Sequence, residues 1–374
     1  MNEKKPNVKS GKGVPPLQYA NIPLHLRSNW GNYYLEILMI TGIIVYFLNF
    51  FSGKSKNQKI ASQWFNVHRE ILESQFALVG DDGAKNIEDI QEPITKESEN
   101  IFTFWCSGRI CCEGMLVELK LLKRQDLVGV IANALKPAHD QLHIRVDMGQ
   151  EDMDNFIFAI ASKKSSLRLS KDMYDINTYC PERRGADKYG VAEAGSYFVM
   201  SEVAEVASAM LDSKLVSVFK KYPDIIDTIH FSDQYTGPKP TEDQQPMELP
   251  QGKKVLIFVF NLTNITQTGI EDTLPLLQLV FYCIDKVKKY KLSREAKVKA
   301  DKNRSKVAEN HWRSIHAAKA EKAAEERERK RREVKERIKE IEDPEKQRKM
   351  EERENRKDKK KNQPKMKQLK VKAM

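Results

Sequence analysis

The chain has 374 residues, 31% of them charged and 40% hydrophobic, with a formal net charge of +11; it is too apolar for a disordered chain and long enough to bury one or two cores. The surplus charge is uneven: residues 291–374 hold 31 Lys+Arg against 17 Asp+Glu, while the other 290 residues hold 33 against 36. A near-neutral body is therefore followed by a basic arm, and only the arm has the electrostatics of a polyanion binder. Five cysteines, Cys106, Cys111, Cys112, Cys180 and Cys283, exclude a disulfide-stapled secreted scaffold and suit a reducing compartment.

The first predicted element is a membrane-spanning helix. Residues 33–51 read YYLEILMITGIIVYFLNFF, about 28 Å of helix, close to the thickness of a hydrocarbon core. Eleven of these are Leu, Ile, Val or Phe, contributing about −3 to −6 kcal/mol to insertion. Trp30, Tyr33 and Tyr34 mark one interface, and Glu36 sits near enough to that end to reach the headgroups. Lys54, Lys56, Lys59 and Arg69 follow the span, against Arg27 alone in residues 13–32, which favours a cytosolic C-terminal side. Lys4, Lys5, Lys9 and Lys12, further out, weigh the other way. No signal-like apolar stretch precedes the span, so the helix is expected to serve as both signal and anchor.

Past the anchor, strand and helix patterns alternate. Ile60, Trp64, Val67, Ile71 and Leu72 form one helical stripe, ended by Gly80, Asp81, Asp82 and Gly83. Leu142, Ile144 and Val146 alternate with polar residues, and after a turn at 149–154 comes FIFAI at 156–160, which together predict a β-hairpin. VLIFVF at 255–260 suits a strand buried on both faces. Helices are predicted over 202–221, with Val203, Val206, Met210, Leu215 and Phe219 inward, and over 273–290, with Leu277, Val280, Phe281, Ile284 and Val287 inward. The mixture predicts an α+β or α/β domain.

Motifs for chemistry are sparse. The body has no phosphate-cradling glycine loop, no H-E-x-x-H pair and no G-x-S-x-G elbow. Cys106, Cys111 and Cys112 cluster without a second ligand pair at zinc spacing, His139 and His143 straddle a loop-to-strand boundary, and Asp81 with Asp82 reads as a solvated turn before a calcium site. No enzyme, metal or cofactor is expected.

Ser293 to Asp343 reads as one helix of about 75 Å, laced by i,i+4 pairs such as Glu326 with Lys330, Glu328 with Arg332 and Glu333 with Arg337. No large aliphatic residue lies between Ile315 and Val334, so a single charged helix is favoured over a zipper. Asp343-Pro344-Glu345 offers a cap and a first-turn proline, hence an elbow and a second helix. The candidate phosphate-binding residues are Arg329, Lys330, Arg331 and Arg332, then Lys359, Lys360, Lys361, Lys365 and Lys367, with RNA and acidic lipid headgroups as rival partners. Lys370 and Lys372 fit the K-x-K-x-x form of a C-terminal endoplasmic reticulum retrieval signal. Asn261, Asn264 and Asn303 open glycosylation sequons, which would report a luminal body.

SNWGNYYLEILMITG, WFNVHREILESQFALVGDDG, WCSGRICCEGMLVELKLLKRQDL, HFSDQYTGPK, FYCIDKVKKYKLSREAKVKADKNRSKVAEN, EDPEKQRKMEE and KMKQLKVKAM resemble the calumin family, the coiled-coil-domain subunit of the PAT (protein associated with translocon) complex. The resemblance runs from about residue 20 to the end. It implies a single-pass protein of the endoplasmic reticulum membrane, partnered by the small membrane protein Asterix in an intramembrane chaperone. That chaperone works beside the Sec61 channel, other multipass-translocon subunits, nascent membrane proteins and the ribosome with its RNA. It also implies an alternative role in calcium homeostasis. The luminal calcium binding of that family is linked to a cleavable signal and a long acidic segment ahead of the anchor, where this sequence has only some 32 residues of basic balance, as expected of a short isoform or an incomplete chain.

The expected division is a luminal segment at 1–32, a membrane helix at 33–51, a cytosolic α+β or α/β domain at 52–290, and a basic, coiled-coil-like arm at 291–374 with its elbow near 343–345.

Overall fold

The computed structural model describes residues 33–80, 93–191, 196–239, 251–263, 266–339 and 344–362. Helix α1 (Tyr34–Gln75) is continuous over 42 residues, about 63 Å. The end of the apolar run thus falls inside a helix, and the anchor enters the body without a hinge. It is exposed at every position from Tyr34 to Leu48. Its second half buries Ile60, Ala61, Trp64, Phe65, His68 and Leu72 at helical spacing.

The body is built on one sheet. Its strands are β1 (Leu78–Val79), β2 (Thr95–Ser98), β3 (Ile101–Ser107), β4 (Cys112–Lys120), β5 (Asp140–Met148), β6 (Ile157–Ser162), β7 (Arg184–Gly185), β8 (Tyr197–Ser201), β9 (Ile226–Tyr235) and β10 (Lys253–Leu262). The order is β1-β3-β4-β5-β10-β9-β6-β8-β7, with β2 also on β3. Every described pairing is antiparallel, which decides for α+β and against α/β.

The predicted hairpin at 142–160 does not form. β5 pairs β10, with Ile144 opposite Phe258, and β6 pairs β9, with Phe158 opposite Phe231, so two strands lie between the expected partners. Alternation in a strand reports which face is buried, not which strand is its neighbour. The two late strands are more apolar than the turn at 149–154 is directive, and they take the central positions.

Helices cover both faces. On one, Leu276, Leu277, Val280, Phe281, Ile284 and Val287 of α8 (Leu274–Lys289) share a core with Phe104, Met115, Val117, Ile144, Phe158 and Phe258, closed by the second half of α1, α5 (Ala204–Met210), α6 (Ser213–Lys221) and Ile270 of α7 (Gln267–Glu271). On the other, Leu169, Ile176 and Tyr179 of α3 (Lys163–Asp172) and α4 (Tyr174–Tyr179) pack on Ile157, Ala159 and Ala161. β6 feeds alternate residues to the two cores and is buried on both faces, as β10 largely is. The helix expected over 202–221 is two, because Asp212 leaves the helix and caps α6 by accepting from Leu215 N at 3.1 Å.

Two elements stand apart. α2 (Leu127–Leu135) buries none of its residues. α9 (Arg294–Lys339) leaves the body, and α10 (Pro344–Asn362) opens with the predicted proline. Of the elbow expected near 343–345, residue 343 lies outside the described residues, as does the Asp81–Asp82 turn.

Candidate functional site

Two junctions determine how the exposed ends of the molecule are aimed. The first lies just past the apolar run. Gly53 is buried against the 124–125 backbone so closely that a Cβ there would sit 2.3 Å from the Arg124 carbonyl. One turn before it, Asn49 Nδ2 donates to Arg124 O at 3.1 Å. One turn after it, buried Asn57 donates to the carbonyls of Glu99 and Leu122, both at 3.1 Å, and accepts from Arg124 Nη1 at 3.0 Å. The Arg124 guanidinium then forks onto Asp140, at 2.8 and 2.6 Å, while Asp140 also accepts from Leu122 N at 2.8 Å. The Asp140 carboxylate is 2% exposed; such a charge is tolerated inside only when its lone pairs are filled by a fork of this kind. α1 is thereby locked to the 99–100 turn, to the 122–124 segment that follows β4 and, through Arg124, to the start of β5.

The second junction roots the arm. Ser293 caps α9, its Oγ accepting from Ala296 N at 3.3 Å and donating to Glu205 at 2.6 Å. Asp154 receives Leu292 N at 2.9 Å and faces Lys297 at 3.3 Å. Burial pushes the Asp154 carboxyl up, but the Leu292 amide and the two lysines outweigh it and hold it below the usual carboxylate range. Ala296 and Ala300 are buried, small enough to let α9 lie close on the body. Arg304 then forks onto Asp233, at 3.0 and 2.7 Å, reaches Glu202 at 3.3 Å, and stacks its guanidinium 5.7 Å from the Tyr179 ring. The side chains of Glu202 and Asp233 are 0% and 1% exposed. Burial pushes the Glu202 carboxyl up against the opposing pull of Arg304 and Asn303.

Beyond this root the arm is solvent-borne, and residues 316–334 are exposed at every position. Lys330 pairs with Glu326 at 2.7 Å, Arg332 with Glu328 at 2.8 Å, and Arg329 with Glu333 at 3.6 Å. Exposed i,i+4 pairs of this kind contribute only about 0.3–0.5 kcal/mol each, so the glutamates hold these cations weakly. Lys359, Lys360 and Lys361 belong to the last turn of α10. Lys365, Lys367, Lys370 and Lys372 lie outside the described residues.

A family profile described as PAT complex subunit CCDC47 matches residues 32–361. The chain belongs to that family. It is 46% identical to the Mus musculus PAT complex subunit CCDC47 over 324 residues, 85% of this chain and 67% of that protein. Over 310 residues it is 47% identical to the Danio rerio protein of the same name, 82% of this chain and 63% of that one. An uncharacterized protein of Arabidopsis thaliana is 30% identical over 287 residues, 74% of this chain and 55% of that protein. The profile spans α1 to the end of α9 and nearly all of α10, so both junctions lie within it. A complex subunit, not an enzyme, is what that family is named for. α1 is, among the described residues, the one helix long and apolar enough to cross a membrane.

For this CCDC47-family chain the remaining candidates carry little chemistry. Burial pushes the thiols of Cys106 and Cys283 up to about 12 and that of Cys112 up to about 11, so all three are protonated at neutral pH and poor nucleophiles. Among the described residues no three His, Cys, Asp or Glu side chains come together as a metal site. His143 faces Gln141 at 3.2 Å, and burial lowers it to about 4. His230 and Asp175 pair at 2.9 Å in the core and tie α4 to β9. Two sequons are occupied structurally: the Asn261 amide meets Gln141 at 3.1 Å and Asn303 donates to Glu202 at 3.1 Å. Bare asparagine there is accordingly no report on topology, and Asn264 lies outside the described residues. Neither junction was visible as a motif, since Arg124 and Asp140 are 16 positions apart and Arg304 and Glu202 102. The one local signal was Ser52-Gly53 straight after the apolar run, small residues where a close approach is needed.

Proposed function

We propose that this protein is the non-catalytic, ribosome-facing subunit of an intramembrane chaperone in the endoplasmic reticulum. Its anchor pairs with the small PAT subunit Asterix beside the Sec61 channel, its body stands at the cytosolic mouth, and its arm reaches ribosomal RNA during synthesis of multi-spanning proteins. The retrieval-like Lys370 and Lys372 act on the cytosolic side in this reading.

The observation that carries it is the rooted arm. Arg329 to Arg332 stand about 33 Å along α9 from Val307, which still packs on the body. A cationic patch held out on a stiff helix, with its base fixed by a buried fork, suits a phosphate surface at a set distance from a membrane. It is ill suited to a membrane-hugging role, for which the cations would lie near the anchor.

Charge reversal of Arg329, Lys330, Arg331 and Arg332 to Glu in the full chain, assayed by co-sedimentation of microsomes with ribosomes over a salt series, tests this. Binding is expected to weaken and its salt dependence to flatten, by about 0.7–0.9 in log–log slope for each phosphate no longer neutralised. Unchanged sedimentation removes the arm from the ribosome interface. Competition of the wild-type arm by RNA but not by anionic vesicles separates the two polyanions.

A further inference from the structure

The helix α2 is oriented against the usual rule for a surface helix. In LVGVIANAL, Val128, Ile131, Ala132 and Leu135 occupy i, i+3, i+4 and i+7, the stripe that ordinarily packs into a core. Here the stripe points away from the protein: Val128 is 73% exposed, Ile131 61% and Leu135 84%. The opposite side, with Gly129, Val130 and Asn133, lines a cleft of about 370 Å³ whose other wall is Asn49, Ser52 and Lys56 of α1. Asn133 closes the turn that follows the helix, accepting from Ala138 N at 2.8 Å. The helix is ordered by its own cap, Asp126 accepting from Val128 N at 3.1 Å, and is held in place by the 121–126 segment that Asn49, Gly53 and Asn57 lock to α1.

We propose that α2 is a second, shallow membrane attachment, lying in the interface on the body side of the bilayer that α1 crosses. The inference rests on α1 spanning that bilayer. Three observations select lipid as the occupant. First is level: the hydrogen bond from Asn49 ties the start of α2 to the final turn of the apolar run, which ends at Phe51, so the outward stripe stands where headgroups meet acyl chains. Second is charge: exposed Lys56 and Lys123 line the cleft beside it and exposed Lys136 ends it, complementary to acidic lipid headgroups. Third is continuity: the stripe extends sideways from an apolar surface that is itself exposed from Tyr34 to Phe47. Nine residues of helix span about 13 Å, too short to cross and well suited to lie flat. The attachment would hold the body at a fixed tilt to the bilayer, which a lone spanning helix, free to rotate about its axis, does not.

The test uses the full chain in vesicles of phosphatidylcholine and phosphatidylserine, with the photoreactive residue p-benzoylphenylalanine replacing Phe47, Ile131, Leu135 or Leu167 in turn. Leu167 is an exposed apolar residue on α3, away from the anchor. Lipid adducts at positions 131 and 135 are expected within about threefold of those at 47, and on the order of tenfold above those at 167, as befits a helix buried to the acyl boundary. Adducts at 47 but background at 131 and 135 overturn the inference and leave the anchor intact. Background at 47 as well overturns the anchor reading and the inference with it. Repeating the experiment in native microsomes separates the rival occupant: a protein adduct at 131 in place of lipid overturns the assignment to lipid.

Discussion

The two long helices, α1 and α9, are divided in opposite order. α1 starts bare and apolar and ends buried in the body, whereas α9 starts against the body, with Ala296 and Ala300 buried and Arg304 half-buried, and is bare and charged from 316 to 334. In each the free half has the composition that suits its exposure, an apolar surface in one case and a charged one in the other. In each the bound half is fixed by a buried arginine fork, Arg124 on Asp140 and Arg304 on Asp233. Composition thus governs where each helix can go, and one buried charge network per helix governs how firmly it is aimed.

The comparison breaks most easily at the free half of α1. Replacing Ile40 and Ile44, both exposed, by Arg costs about 6 kcal/mol of insertion free energy, and the chain is expected in the soluble fraction after carbonate extraction with its body still folded. Retention in the membrane would mean that α1 is not the anchor. At the root of the arm, Arg304→Ala strands two buried carboxylates and is expected to destabilise the body by about 3–5 kcal/mol, read by denaturant unfolding in detergent. Arg304→Lys should recover only part, because an ammonium cannot form the fork. A loss below about 1 kcal/mol for the alanine variant, in the noise of ordinary surface changes, would show that the arm merely rests on the body.

The body half of α1 has a pH signature. His68 stacks on Trp64 at 4.1 Å, donates from Nδ1 to the Trp64 carbonyl at 2.7 Å and faces the Thr273 hydroxyl at 2.8 Å. Burial lowers it from 6.5 to about 4, against the raising effect of the Trp64 carbonyl. The folded value is the lower one, so the stabilisation is complete above pH 6.5 and is lost as pH falls toward 4, by about 3 kcal/mol. Unfolding midpoints of the wild type should fall across that window, and those of His68→Gln should fall less. The smallest effect belongs to the free half of α9. Glu326→Ala with Glu328→Ala removes two exposed pairs worth about 0.3–0.5 kcal/mol each, leaving stability nearly unchanged. The same pair of substitutions should tighten binding to a homopolymer RNA at low salt, and no tightening would mean that these cations do not face phosphate.

What could be read in advance follows the range of the interaction. α8, the apolar run, the buried β10 and the charged arm each announce themselves within a window of ten to twenty residues, because periodicity and composition are local. The failures are long-range. Ile144 and Phe158 are close in sequence but take partners at Phe258 and Phe231, and no local pattern names a partner. The helix across 202–221 breaks at Asp212 because that carboxylate is claimed by the Leu215 amide, by Lys286 at 3.0 Å and by the Tyr282 hydroxyl, the last two from α8. LVGVIANAL has the stripe of a core helix, and only the position of the body relative to α1 turns that stripe outward.

The amino-acid order alone determined that one segment belongs in hydrocarbon, that the last quarter of the chain is a charged helix, and that mixed α and β structure lies between. Those properties are sums over neighbouring side chains and need no partner. The tertiary structure alone decided the antiparallel strand order, the unbroken passage of the anchor into the core, and the two arginine forks. Each of these pairs groups distant along the chain, and that pairing exists only once the sheet has brought them within hydrogen-bond reach.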